Sequence, residues 1–145
     1  MPVATEKSLL MQNRSMPDCM IIPVLLYADV PKAAAWLCGA FGFVERLRIG
    51  DHRIQLVVDG GAIVVARAAE ENPGSVTTHQ IMMRVVDVDG HCERARQHGA
   101  IIHNPPTDFP YGERQYSTVD CGGHAWTFSQ TTADVIPASW GGILS

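Results

Sequence analysis

Two stretches of this chain carry the same order of signals, and that repetition limits the fold more than any single residue does. In the first, the short apolar run MIIPVLLYA (20–28) leads to Asp29, a helix-capping residue type, then to Pro31, an alanine-rich segment and Gly42. FVERLRI and HRIQLVV follow, and Asp59-Gly60-Gly61 separates the latter from AIVVAR, the spacing of a hairpin. In the second, HQIMMRVV leads to Asp87, a polar helix through Cys92 and Arg96, Gly99, AIIHNPP, a Pro-rich loop over 104–112, and two strands around the turn Asp120–Gly123.

Each copy therefore reads βαβββ. The expected organisation is an N-terminal arm over 1–19, a first βαβββ module over 20–68, and a linker over 69–78 that contains ENPGSV. A second module over 79–131 and a C-terminal tail over 132–145 complete the chain. A small sheet with one helix has a second face to cover, and two such sheets side by side can curve those faces into a groove. The expected fold class is α+β, with two modules forming a curved mixed-sheet groove.

Composition narrows what such a groove serves. At 145 residues and 46% hydrophobic, the chain can bury one ordinary core. A net charge of −4 with no basic run argues against nucleic acid, and no apolar stretch approaches the roughly 20 residues of a membrane span. The first 18 residues lack an apolar h-region with a small-residue cleavage site, so a cytoplasmic location is expected. Cys19, Cys38, Cys92 and Cys121 contain no C-x-x-C pair and read as reduced thiols.

The paired modules, one opened by YADVPKAAAWLCGAFGF and the other closed by YGERQYSTVDCGGHAWTFSQ, resemble the vicinal oxygen chelate superfamily. That superfamily includes glyoxalase I, extradiol dioxygenases, and bleomycin- and fosfomycin-resistance proteins. The resemblance covers residues 20–131 as one domain, and the closing motif is its most specific part. One departure is Asp120-Cys121, where the family commonly has Asp-Pro.

The resemblance implies four metal ligands, from the first and last strand of each module, in the metal-using members. Counting seven residues before each helix-capping Asp gives Ile22 and Gln80; counting four after each turn glycine gives Val65 and Thr127. Ile and Val have no lone pair to donate, and a catalytic divalent metal needs about three protein ligands. A shift of one residue adds only His79. No metal and no other cofactor is expected.

Strand alternation then gives the groove face: Ile22, Val24 and Leu26; Gln80, Met82 and Arg84; Thr127 and Ser129. If Asp120 and Gly123 close the second hairpin as partners, Tyr116 lies opposite Thr127 and Arg114 opposite Ser129, on the same face. The first hairpin sets Ile54 opposite Val65. Two guanidinium groups without an acidic neighbour favour an anionic or carbonyl-rich ligand, and Tyr116 with Tyr111 and Phe109 offers a stacking surface. The opposing possibility is that an arginine pairs with Glu113 or Asp108 or reaches into solvent.

No nucleophile elbow, phosphate loop or paired carboxylates stand on that face, and no catalytic residue is assigned. The expected function is that of a non-metal protein binding a small planar organic molecule, resembling the bleomycin-resistance drug-binding proteins. The balance leans away from an enzyme. The alternative is a metal-dependent glyoxalase-like lyase, isomerase or dioxygenase with His79 and Gln80 among its ligands; a purely architectural role ranks third. The expected partners are the small molecule and a second copy of the chain in a homodimer, with no nucleic acid and no membrane.

Overall fold

In the first unit an Asp sets where the helix starts. The carboxylate of Asp29 accepts from Lys32 N at 3.1 Å and caps α1 (Val30–Phe41), with Pro31 in its first turn. Gly42, at φ 83°, ends the helix by returning its N–H to the Cys38 carbonyl at 3.2 Å. The second unit repeats the device: Asp87 accepts from Gly90 N at 3.1 Å and caps α2 (Val88–Gln97).

The computed structural model of the chain describes residues 9–68 and 79–144. It divides into two compact units, Met1–Pro73 and Gly74–Ser145. The first holds β1 (Val24–Tyr27), α1, β2 (Val44–Ile49), β3 (Arg53–Val58) and β4 (Gly61–Arg67). The second holds β5 (Ile81–Arg84), α2, β6 (Ile101–Phe109), β7 (Glu113–Val119) and β8 (Ala125–Thr131). Both sheets are four-stranded and mixed, in the orders β1-β4-β3-β2 and β5-β8-β7-β6. The first strand of each unit runs parallel to the last, and the other pairs are antiparallel. This is the expected α+β class, with βαβββ written twice.

Two expected boundaries move. The apolar run from Met20 becomes a strand only from Val24, while Pro23, which has no N–H, contributes its carbonyl to Val64 N at 2.9 Å. The stretch through Pro105 and Pro106 is not a loop: β6 runs through both prolines to Phe109, with two register shifts. An edge strand tolerates proline because one side of its backbone is not asked to pair. The expected linker, 69–78, lies outside the described residues.

Each helix covers one face of its own sheet. In the first unit Leu25, Tyr27, Ile54, Leu56, Ile63 and Val65 are buried with Val30, Ala33, Leu37 and Phe41 of α1. On the opposite face lie Val24, Leu26, Val64 and Ala66, with Gln55 opposite Val64. Gln55 donates to the Ser15 carbonyl at 2.8 Å, and Arg46 bridges the Gln55 side chain and the Arg14 carbonyl at 2.6 and 2.8 Å. The arm thus meets this face at Arg14 and Ser15, and Pro17 two residues on is buried.

In the second unit Tyr116, Trp126 and Phe128 form the core under α2. Trp126 and Phe128 stack with centroids 5.9 Å apart, and His91 of α2 lies 4.1 Å from the Phe128 ring and bonds the Tyr116 hydroxyl at 2.5 Å. The face of this sheet turned away from α2 carries the polar side chains.

Candidate functional site

Strand β8 alternates between the two faces, so Trp126 and Phe128 go under α2 while Thr127, Ser129 and Thr131 face the other way. Their partners on β7 are Ser117, Gln115 and Glu113. Strand β6 extends the rows with Asn104, Thr107 and Phe109, and β5 adds Met82 opposite Thr127 and Arg84 opposite Ser129.

These side chains are bonded to one another. Tyr111 donates to Gln115 Oε1 at 3.3 Å, Gln115 Nε2 to Ser129 Oγ at 3.0 Å, and Ser129 to Glu113 Oε1 at 2.6 Å. From the other side Arg84 donates to Thr131 Oγ1 at 3.0 Å, and Thr131 bonds the same carboxylate. Two lines of donors therefore converge on Glu113. The Ser129 bond, then that of Thr131 and the charge of Arg84, hold its carboxyl below the usual range against the opposing effect of burial. Further along, Thr127 donates to Gln80 Oε1 at 2.8 Å and Asn104 to Ser117 Oγ at 2.6 Å.

The expected residues divide between the faces. Gln80, Met82 and Arg84 are exposed on the face turned away from α2, which also carries Thr127 and Ser129, both of them buried. Tyr116 and Arg114 are not there, because the β7–β8 register differs from the expected one by a residue: Tyr116 pairs with Phe128 and Arg114 with Gln130. Tyr116 is under α2, where burial pushes its phenol well above the ordinary value. Arg114 reaches Asp89 of α2 at 3.1 Å, a partner outside the sequence reading, and Asp108 at 3.3 Å, the pairing weighed against a ligand role.

Val65 is also on the covered face. It pairs with Leu25 and is fully buried, whereas Val64, beside Val24, faces away from α1. The turn glycine equivalent to Gly123 (φ 84°) is Gly60 (φ 74°) and not Gly61, which moves the count by one. Ile22 is half-buried just before β1. Glu113 and Gln115 had no place in the expected face, and alternation counted from the true register finds both.

The donor set at the positions implied for metal ligands does not fit a divalent ion. Ile22 and Val64 have no donor atom, and Gln80 Oε1 is engaged by Thr127. His79 is exposed. Among the described residues no group of three or more His, Cys, Asp and Glu side chains comes together. Nor is any helix among them long and apolar enough to cross a membrane.

At the end of the face, Phe109 stacks on Tyr111 with ring centroids 5.4 Å apart and planes 15° from parallel. Residues 21–128 match the family model of the Glyoxalase/Bleomycin resistance protein/Dioxygenase superfamily. The chain belongs to this family.

Solved structures of similar proteins include TioX from Micromonospora sp. ML1, 35% identical, with a TM-score of 0.66 over 77% of this chain and 97% of that one. TnmS3, an antibiotic-binding protein from Streptomyces sp. CB03234, is 22% identical with a TM-score of 0.63 over 76% of this chain and 93% of that one. The fosfomycin resistance protein FosX from Listeria monocytogenes is 19% identical with a TM-score of 0.66 over 81% and 96%. A search of curated proteins finds no match to the chain. The superfamily fold is thus common to an antibiotic-binding protein and a resistance protein, and fold alone does not choose between binding and catalysis.

Proposed function

We propose that this protein binds a small, planar organic molecule on the free face of the second unit's sheet. The observation that carries the reading is the Glu113-centred network, in which a carboxylate and a guanidinium stand on one sheet face beside an aromatic stack. Charge on that face is balanced: Arg114 is occupied by Asp89 and Asp108 on the opposite face, which leaves Arg84 and Glu113. A ligand that fits is a planar body with an acceptor for Arg84 and a donor for Glu113, and it need not be a strong anion.

The antibiotic-binding description of TnmS3 supports the ligand class, and the lack of a fitting donor set favours binding over metal-assisted catalysis. The hydroxyls of the face donate to Gln and Glu side chains, and the one that donates to a carboxylate, Ser129 on Glu113, is almost wholly buried and so is not presented to a substrate. The same reading carries a homodimer, since each four-stranded sheet ends in edge strands available for pairing.

Thermal-shift and calorimetric titration against planar antibiotics and aromatic acids tests it. We expect at least one planar compound to stabilise the wild type, with Arg84→Ala weakening it about tenfold and Arg114→Ala leaving it unchanged. Equal weakening by both variants, or no stabilising compound, would remove the reading.

A further inference from the structure

Beyond the sheet, the C-terminal segment contributes a side chain that strand counting does not reach. Residues past β8 turn back along the β6–β7 turn: Thr132 N and Ala133 N both donate to the Gly112 carbonyl, at 2.8 and 3.4 Å. A 3-10 helix, Pro137–Trp140, then closes with Gly142 N on the Pro137 carbonyl at 2.8 Å. This places the Trp140 ring 5.1 Å from that of Tyr111, at 49°.

Tyr111 is consequently held at three points. Its ring contacts those of both Phe109 and Trp140, and its hydroxyl donates into the polar row at Gln115. Phe109 pairs directly with Glu113 across β6 and β7, so the aromatic stack adjoins the carboxylate on one face. Phe109 and Trp140 both remain accessible, at 38% and 48%. Large aromatic side chains are ordinarily placed to bury their area, and here three in contact leave two exposed beside a satisfied polar network.

We propose that Trp140 is a specificity-determining residue of the ligand face, and that the tail residues 133–142 are a binding element and not a spacer. This rests on the reading of the free face given above and names its ligand class more narrowly: a fused-ring aromatic with a hydrogen-bond donor on its rim. The aromatic body stacks against Trp140, and the donor meets Glu113. A saturated ring system of the same outline loses the ring contact and keeps the polar one.

The test uses 6-hydroxy-2-naphthoate and its saturated decahydro analogue, titrated calorimetrically into the full chain and its Trp140→Ala, Trp140→Phe and Arg84→Ala variants. Melting temperatures establish that each variant is folded. We expect the naphthoate to bind wild type more tightly than the saturated analogue, Trp140→Ala to weaken the naphthoate about tenfold, and Trp140→Phe to restore most of the loss. The saturated analogue should respond to Arg84→Ala and not to Trp140→Ala. If Trp140→Ala leaves naphthoate binding within about twofold while Arg84→Ala weakens it, the tail proposal falls and the ligand face stands. If Trp140→Ala weakens both compounds equally, its role is structural and the proposal falls. A wild type that binds neither compound overturns the proposal for this ligand class; the face itself is then judged by the wider panel above.

Discussion

The Ser129 hydroxyl donates to the Glu113 carboxylate at 2.6 Å across the β7–β8 pair, although Ser129 is almost wholly buried and Glu113 is only partly so. Ser129 also accepts from Gln115, so one small hydroxyl couples the neutral and charged halves of the face.

Replacing it removes both bonds at once. Ser129→Ala leaves the Gln115 amide and one carboxylate oxygen to find new partners, and bonds to charged groups contribute more than neutral ones. The expected loss is about 1–3 kcal/mol in urea unfolding. A loss under about 0.5 kcal/mol would show that water replaces the hydroxyl at no penalty.

The network also sets a pH dependence. The folded carboxyl of Glu113 lies below its unfolded value, so the ionised form stabilises the fold at every pH above the unfolded value, about 4.3. That contribution fades as pH falls through the folded value. The stability gap between wild type and Glu113→Gln should be full near neutrality, begin to narrow as pH falls past about 4.3, and close as pH falls through the folded value. A gap constant from neutral to acid pH would assign the effect to shape and not to charge.

Two glycines with positive φ separate backbone strain from crowding. A Cβ on Gly60 (φ 74°) meets nothing within 4 Å, so Gly60→Ala should lose about 1–2 kcal/mol from the left-handed conformation alone. A Cβ on Gly112 (φ 81°) runs into the Ala133 carbonyl and lies 2.8 Å from Val135 Cγ2. Gly112→Ala should therefore lose distinctly more, and raise the proteolytic sensitivity of the tail. Equal losses would mean that the tail yields freely at Ala133.

Metal content is a direct check on the donor set. Protein expressed without an affinity tag in medium supplemented with Fe, Mn, Co, Ni and Zn should carry well under one metal per chain. Near one metal per chain, lost on changing Gln80 or His79, would contradict the assignment of Gln80 Oε1 to Thr127.

Much of the fold was legible because helix caps and hairpin glycines act locally. Asp29, Gly42 and Asp87 do what their residue types lead one to expect. The site was less legible because it depends on register, which a single turn can change. The Asp120 carboxylate accepts from Gly122 N, His124 N and Trp126 Nε1, at 2.9, 3.0 and 2.9 Å. That wraps the loop so that Asp120 N bonds the His124 carbonyl, and the strands pair one residue later than an Asp120–Gly123 closure would have them. A slip of one moves every side chain to the other face. Tyr116 and Arg114 leave the face by this route, and Glu113 and Gln115 enter it. The place of Trp140 has no periodic signal, being set by the tail's bonds to Gly112.

On the proposed function the ligand meets the sheet face turned away from α2. Backbone and side-chain amide NMR shifts, recorded while 6-hydroxy-2-naphthoate is titrated in, test it residue by residue. Changes should concentrate at Arg84, Gln115, Thr127 and Ser129 and in the Gln115 side-chain amide, and spare Asp89 and His91 on α2. Saturable shifts confined to α2 and its neighbours Arg114 and Asp108 would contradict it.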